Sequence, residues 1–350
     1  MQLPHIAARL YDTPLLINRA KLDVILSVLG NRIGWQEIQH LAKDANLPDS
    51  VMATSISNKE IPYNSPGISI IPAQGTLVKR ALGLEASSGL TSYAEIQTKL
   101  GAAVRDPNVR GILLDIDSPG GETGGVFELA ESVRAASTIK PVWAIANDSA
   151  FSAGYAIACA ASRVIITRTG GVGSIGVIAL HVDQSVADSK NGLSYTAITA
   201  GARKSDYSPH EPLSTEAQAR LQAEVNRLYD IFVTHVASMR AISESALRAT
   251  EAGLYFGPEG VSAGLADSVM SFDEVLADFT AFLTPQGRSR SPVRAQSQVG
   301  CAVHSQKETI MLENQEEPVE QTQDPVIETI PVTEATAQVL KARQEIRREA

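Results

Sequence analysis

The sequence predicts an α/β protein built on a mostly parallel sheet. Short apolar runs alternate with segments of helical spacing, and one of these runs ends at the turn Ser118-Pro-Gly-Gly121. Strands that alternate with helices of about 10 to 15 residues are typical of parallel sheets covered by helices. Apolar residues make up 44% of the 350-residue chain, which is enough for one sizeable core.

The predicted elements follow one another along residues 63–283, which we expect to form the main domain. The expected elements are strands at 67–71, 111–116, 142–146, 177–182 and 195–199 and helices at 92–104, 123–136 and 152–161. A long amphipathic helix follows, with apolar residues at helical spacing from Leu221 to Met239. We expect this helix to begin with a capping box formed by Thr215 and Gln218.

The two ends of the chain differ from this domain. Residues 1–62 are predicted to form a small helical annex with no recognisable chemistry. Residues 284–334 contain no aromatic residue, and between Met311 and Glu334 they carry seven acidic side chains and no Lys or Arg. Such a stretch buries too little apolar surface to offset its ordering entropy, so we predict a disordered acidic linker. Residues 335–350 have the composition of the start of a partner-seeking helix.

Composition excludes several classes of protein. The longest apolar runs are much shorter than the roughly 20 residues that span a bilayer, so no membrane segment is expected. The N-terminus lacks the pattern of a secretory signal, and Cys159 and Cys301 cannot make a disulfide framework, which together favour a reducing cytoplasm. A net charge of −9 argues against broad nucleic-acid binding.

Two turns at the predicted carboxyl ends of strands are candidate sites, because ligands gather at this edge of α/β sheets. The first is Asp117-Ser-Pro-Gly-Gly121, where paired glycines expose the backbone N–H groups that an oxyanion hole requires. The alternative is a tight turn without chemistry. The second turn places Ser152 between a strand and a helix, as in the nucleophile elbow of serine hydrolases. The alternative there is that Ser152 merely caps the helix.

A serine nucleophile needs a base, and the sequence offers no convincing histidine. His181, at the end of an apolar run, is the best of the six, while His235 falls on the polar flank of the long helix. Lysine is the other option, because burial disfavours its charged form and lowers its pKa. Lys204 lies in the loop before the long helix, although an isolated loop lysine is usually solvated surface.

Nucleotide and metal sites are not supported. Gly171-Val-Gly-Ser-Ile-Gly176 matches the dinucleotide pattern, but it leads into a predicted strand rather than the helix that would receive a pyrophosphate. The cysteines lack metal-ligand spacing, and Cys159 is most simply a small core residue. We therefore expect no cofactor and no metal.

Four motifs in order carry a family resemblance. Asp117-Ser-Pro-Gly-Gly121, Ser152-Ala-Gly-Tyr155, Thr169-Gly-Gly-Val-Gly-Ser-Ile-Gly-Val177 and Gly201-Ala-Arg-Lys204 resemble those of the signal-peptide-peptidase family of serine proteases, family S49, and above all its phage branch. The resemblance covers roughly residues 1–283. It implies a ClpP/crotonase-like fold, and a Ser-Lys dyad in place of a Ser-His-Asp triad.

The resemblance also implies a role for particular residues. Ser152 matches the nucleophile and Lys204 the general base. Ser174 matches a serine that orients the lysine, and Gly121 and Ala153 match the two oxyanion donors. Phe151 departs from the family, where many members have a smaller residue before the nucleophile, so the shape of the substrate pocket is not implied.

For the phage branch, the implied function is a serine endopeptidase of prohead maturation. Its substrates or partners would be scaffold, portal and head proteins, with its own tail as a further candidate, inside a prohead in the host cytoplasm. A homo-oligomer is expected, because such enzymes assemble into rings. The tail would be a scaffold segment, with Met311 as a candidate internal start or an ordinary linker residue.

Two other functions remain open on the sequence. The first is a capsid scaffold or docking protein in which the protease fold is catalytically dispensable. The second is a crotonase-like acyl-CoA enzyme, which would share the fold and a backbone oxyanion hole. Against the second, the glycine turn has no convincing acid or base nearby except Glu122.

Overall fold

The computed structural model describes residues 10–29, 67–80 and 90–284, which belong to one compact unit, Met1–Arg288. The predicted tail helix, the linker beyond Thr284 and most of the N-terminal annex lie outside the described residues, as does the second unit, Ser289–Ala350. No helix in the described ranges is long and apolar enough to cross a membrane.

Strands and helices alternate along the described chain. The strands are β1 (Leu15–Ile17), β2 (Ile68–Gln74), β3 (Thr76–Val78), β4 (Leu90–Ser92), β5 (Gly111–Ser118), β6 (Gly120–Glu122), β7 (Val142–Phe151), β8 (Arg163–Ile166), β9 (Gly171–Gly173), β10 (Leu254–Phe256) and β11 (Ser268–Val269). The helices are α1 (Arg19–Leu29), α2 (Tyr93–Arg105), α3 (Val126–Ser137), α4 (Ala153–Ala158), α5 (Ser185–Lys190), α6 (Thr215–Arg240), α7 (Glu244–Arg248), α8 (Pro258–Ser262) and α9 (Phe272–Leu283). The predicted α/β class is confirmed.

The larger sheet is parallel except at one edge. β2, β5 and β7 lie side by side in parallel. The long strand β7 pairs with β8 through residues 143–146 and with β9 through residues 149–151, so the sheet divides along its length. β11 extends the first branch in parallel and β10 extends the second antiparallel. The carboxyl ends of β5 and β7 are therefore neighbours at one edge of the sheet.

A smaller sheet lies beyond the end of β5. Its strand order is β1-β6-β3-β4. β6 pairs in parallel with β3 through Gly121 and Leu77, and antiparallel with β1 through residues 15–17. The glycine turn of the sequence is thus a strand with a neighbour on both edges.

Both faces of the larger sheet are covered by helices. One face packs against α2, α3, α4 and α6 in the main hydrophobic core, to which β5 contributes Ile112, Leu114 and Ile116. The other face packs against α9, where Leu113 and Ile145 of the sheet meet Val275 and Phe279. Successive side chains of β5 therefore point alternately into these two cores. This explains why β5 is apolar almost throughout, as expected of a strand buried on both faces.

Two predicted strands are absent. Residues 177–182 form only isolated bridges, from Ile178 to Leu15 and from Leu180 to Tyr11, and residues 195–199 form no strand. The side chain of Ile198 is 97% exposed. A strand requires a partner for its backbone groups, and no strand among the described residues pairs with the second segment.

Two predicted boundaries also need correction. The cap of α6 is Ser214, whose side chain accepts a hydrogen bond from the Ala217 N–H, so the predicted box of Thr215 and Gln218 is wrong. The N-terminal annex was predicted to be helical, but its described part begins with strand β1 before helix α1. β1 escaped prediction because its partner, β6, is remote in the sequence.

The α9 face offers a test of packing. Trp143 and Phe279 stack with ring centroids 4.3 Å apart, and Phe279 is fully buried. Replacing Phe279 with Ala should lower the free energy of unfolding by about 3–5 kcal/mol, because it leaves a cavity in the core. Phe282→Ala is the matched control, since its side chain is 62% exposed on the same helix. Urea denaturation measures both, and equal losses would contradict this account of the face.

Candidate active site

The turn after β5 brings three backbone segments into close contact. Gly120 has φ +108°, and a Cβ there would lie 2.1 Å from the carbonyl oxygen of Leu16. A Cβ on Gly121 would lie 1.8 Å from the carbonyl oxygen of Leu77. Both positions therefore require glycine. The Gly120 N–H also donates to the buried hydroxyl of Ser118 at 3.1 Å, which fixes the turn.

Ser152 joins β7 to α4 in a strained backbone conformation. Its φ is 53° and its ψ is −113°. Conformations of this kind cost about 1–3 kcal/mol in a non-glycine residue and are concentrated at functional sites. The Ser152 N–H donates to the carbonyl of Gly173 at 2.9 Å, which contributes to holding the residue in place.

The side chain of Ser152 does not cap its helix. The residue occupies the N-cap position of α4, but its hydroxyl makes no capping hydrogen bond. The hydroxyl is fully buried and has no hydrogen-bond partner among the described residues. The structure therefore contradicts the capping alternative and leaves a buried hydroxyl for which packing gives no explanation.

The structure brings Ser152 to the glycine turn. A Cβ added to Gly120 would lie 3.0 Å from the Cβ of Ser152. A Cβ added to Gly154 would lie 3.3 Å from the carbonyl oxygen and the Cβ of Ser118, so a small residue there lets α4 begin against the turn. Ala153 is the first residue of α4, and a residue in that position has no intrahelical acceptor for its N–H.

Two side-chain pairs that sequence reasoning missed link the strand ends that carry the site. Ser149 donates to Asp117 at 3.0 Å, and Asn147 donates to Asp115 at 3.1 Å, each across β5 and β7. Burial raises the pKa of Asp115, and the hydrogen bond from Asn147 opposes that shift. The sequence signal for these two pairs is the polar residues at alternate positions of two otherwise apolar strands.

Ser174 lies beside the nucleophile candidate at the end of β9. Its φ is 55°, its side chain is largely buried, and its N–H donates to Gly253 at 2.8 Å. β9 runs parallel to residues 149–151 of β7, which places Ser174 one residue beyond the partner of the Ser152 N–H. The structure therefore gathers Ser152, Gly121, Ala153 and Ser174 at one edge of the sheet.

Lys204 does not join this group in the single chain. It lies exposed in a turn whose N–H donates to Gly201, within an exposed segment that runs from residue 189 to residue 204. Since the Ser152 hydroxyl has no hydrogen-bond partner in the described ranges, the predicted dyad is not in contact in this single chain. The same segment carries the exposed side chains of Leu193, Tyr195 and Ile198.

The described histidines are engaged elsewhere. His181 contacts Asp12 at 2.8 Å through Nδ1, and His210 contacts Asp188 at 2.8 Å and stacks on Tyr195. His235, predicted on the polar flank of the long helix, is instead packed against α4. Its Nε2 lies 2.9 Å from the carbonyl of Ala156, and burial lowers its pKa.

The Gly171–Gly176 segment and Cys159 have structural roles in the fold. Residues 171–173 form strand β9 and residues 174–182 directly after it are not helical, so the dinucleotide pattern is not followed by a helix N-terminus. Cys159 is fully buried, as a core residue would be, and burial raises the pKa of its thiol to about 12. Within the described ranges, no group of His, Cys, Asp and Glu has the arrangement of a metal site.

Residues 134–282 match the family model described as Peptidase family S49. The chain contains a peptidase family S49 domain. The matched range includes Ser152, Ser174 and Lys204, while the turn at Gly121 precedes it. The family predicted from the motifs is thereby confirmed.

The relatives of this chain include phage proteins. It is 34% identical over 283 residues to the capsid assembly protease C of Escherichia phage lambda, covering 78% of this chain and 64% of that protein. It is 35% identical over 283 residues to the head-tail preconnector protein GP5 of Enterobacteria phage P21, covering 79% of this chain and 56% of that protein.

A bacterial relative matches over a shorter range. The putative signal peptide peptidase SppA of Enterococcus faecium is 32% identical over 190 residues, which is 53% of this chain and 54% of that protein. The chain thus spans less than two thirds of the length of each of these three relatives.

The unpartnered hydroxyl has a measurable effect on stability. Ser152→Ala should raise the free energy of unfolding by about 1–2 kcal/mol, because it removes a buried polar group that has no hydrogen-bond partner among the described residues. Ser118→Ala is the matched control and should lower it by about 1 kcal/mol, since the buried Gly120 N–H loses its acceptor. Urea denaturation of both variants tests this. A loss of stability in Ser152→Ala would show that its hydroxyl is satisfied.

Proposed function

We propose that this protein is a serine endopeptidase that acts in the maturation of phage proheads. Its substrates are scaffold, portal or head proteins, with its own tail as a further candidate, and it works inside a prohead in the host bacterial cytoplasm. It needs no cofactor. The family match and the phage relatives support this proposal, and we extend the fold to the ClpP/crotonase-like class on the same grounds.

One observation carries the proposal. Ser152 is held in a strained conformation with a buried hydroxyl that neither caps α4 nor bonds another described residue, directly beside the glycine turn. Folding gains nothing from such a serine, whereas a nucleophile must keep its hydroxyl available. Strain and lost hydrogen bonding at one residue are a combination typical of catalytic sites.

The proposed mechanism uses the groups gathered at this edge together with Lys204. Ser152 Oγ attacks a peptide carbonyl while the neutral amine of Lys204 takes its proton. The N–H groups of Gly121 and Ala153 stabilise the negative charge that develops on the carbonyl oxygen. The amine returns the proton to the leaving nitrogen, and water then hydrolyses the acyl-enzyme. Ser174 orients the lysine.

The exposed lysine requires assembly. We propose that copies of this chain associate through the exposed segment 189–204 and thereby bring a Lys204 amine to Ser152. Leu193, Tyr195 and Ile198 support this, since they place exposed apolar surface beside the lysine. Covering the segment also desolvates the amine, which favours its neutral form.

The dyad is tested by mass spectrometry of the purified protein incubated with its candidate phage substrates. Ser152→Ala and Lys204→Ala should each reduce cleavage by about 10³-fold or more, because a dyad acts as a unit. Lys99→Ala, which removes an exposed lysine on α2 outside the proposed interface, should cleave like the unmodified protein. Cleavage by either dyad variant at the unmodified rate contradicts the assignment.

The role of assembly has its own test. Ile198→Asp should shift the protein to smaller species in sedimentation velocity and abolish cleavage together, because it buries a charge in the proposed interface. Ile139→Asp is the control, since Ile139 is also exposed, at 66%, but follows α3. An Ile198→Asp protein that stays assembled, or that cleaves as a monomer, would refute this role for the segment.

The exposure of Lys204 favours one second candidate, a docking or scaffold protein whose protease fold is catalytically dispensable. Under that function, heads form normally when Ser152→Ala replaces the unmodified protein. Under the peptidase function they do not mature, so the same variant separates the two.

A further inference from the structure

β1 occupies the one edge of β6 that β3 leaves open. β6 contains Gly121, the proposed oxyanion donor, and its two neighbours are β3 on one side and β1 on the other. β1 runs antiparallel, with Leu16 directly opposite Gly121. Extended peptides commonly bind proteins by adding a strand to such an edge.

The backbone groups of Leu16 face Gly121. Successive residues of a strand direct their N–H and C=O groups to opposite edges. Leu15 uses both of its groups on Ile178, at 2.7 and 3.0 Å, and the Asn18 N–H donates to Pro119 at 2.8 Å. Leu16 and Asn18 therefore face the glycine turn, and the Leu16 carbonyl is directed at the N–H of Gly121.

The same carbonyl lies beside the nucleophile. The position of a Cβ on Gly120 is 2.1 Å from the Leu16 carbonyl oxygen and 3.0 Å from the Cβ of Ser152. The side chain of Leu16 is fully buried in the main core. The Leu16 carbonyl thus lies next to Ser152 and is directed at the N–H of Gly121, and its strand runs antiparallel to β6. A substrate's reacting carbonyl would have the same placement.

We propose that β1 is a built-in pseudosubstrate strand that blocks the site until it is displaced. This inference rests on the proposed function. The ligand that replaces β1 is an extended peptide segment that pairs antiparallel with Gly120–Glu122 and places a large aliphatic side chain where Leu16 lies. The substrate class is therefore an extended peptide with a large aliphatic side chain, and β1 competes with that substrate for the edge of β6.

The strand is held by its own small core. Leu15 and Ile17 pack in a cluster with Leu10, Leu22 and Leu26, and the partly buried Ile178 packs against it. Helix α1 follows β1 after a single residue. The cluster anchors β1 on both sides of Leu16. Displacement therefore requires the cluster to open, which makes the single chain latent.

A reversible lock tests the proposal. Leu15 and Glu122 are directly opposite and flank the Leu16–Gly121 pair, which makes them a non-hydrogen-bonded pair with Cα atoms about 4.5 Å apart. This spacing is within the range of about 4.4–6.8 Å that a disulfide bridges. The variant Leu15→Cys/Glu122→Cys is made in the full chain with Cys301→Ser. Leu15→Ser/Glu122→Ser in the same background is the matched control.

The readout is the rate at which a fluorophosphonate labels Ser152, because the phosphonyl oxygen needs the oxyanion site that Leu16 fills. The oxidised variant should label at least about tenfold more slowly than the reduced one, since the lock depletes the open state. The serine control should label at one rate with and without reductant. Mass spectrometry confirms the disulfide.

The outcomes separate this inference from the proposed function. Equal labelling of the oxidised and reduced variants overturns the pseudosubstrate role while leaving the peptidase intact. If the unmodified, reduced and serine-control proteins all fail to label, and the unmodified protein fails to cleave, the proposed function itself fails and the inference falls with it. Faster labelling of Leu16→Ala than of Leu100→Ala, another buried leucine, supports release of the strand.

Discussion

The close approach of three backbone segments at Gly120 and Gly121 is the constraint on which the site depends. The carbonyl oxygens of Leu16 and Leu77 lie where a Cβ atom on Gly120 or Gly121 would be. The absence of Cβ atoms allows β6 to lie between β1 and β3 and to reach the start of α4. A side chain at either position would push the segments apart and separate the turn from Ser152.

The strain at Ser152 follows from that approach. β7 must end and α4 must begin within one residue if the helix is to start against the turn, so Ser152 takes a conformation that few residues adopt. The surrounding contacts hold it there: the Gly173 carbonyl accepts its N–H, and the Asp117–Ser149 pair ties β5 to β7 next to it. The larger core, built on fully buried residues of the parallel strands, stabilises the fold that maintains this strain.

Two segments around this centre, β1 and the loop with Lys204, bear on whether the single chain is active. β1 pairs with one edge of β6, and the loop with Lys204 is exposed. Under the proposed function, the single chain would therefore hold Ser152 away from its base and keep the substrate-binding edge covered. Activation by assembly and by strand release would then confine proteolysis to the place where the copies and their substrates are concentrated. If the proposed function holds, such a delay would keep the enzyme inactive until the particle has assembled.

The sequence by itself determined the alternation of strands and helices, the parallel sheet, and the proximity of Ser152 to the glycine turn. These follow from local patterns, because apolar periodicity sets the elements and parallel neighbours must end at the same edge. Only the tertiary structure decided that Ser152 does not cap its helix, that β1 pairs with β6, and that residues 195–199 form no strand. The physical reason is that strand pairing and strain arise between residues far apart in the chain, such as Leu16 and Gly121, and no local pattern records them.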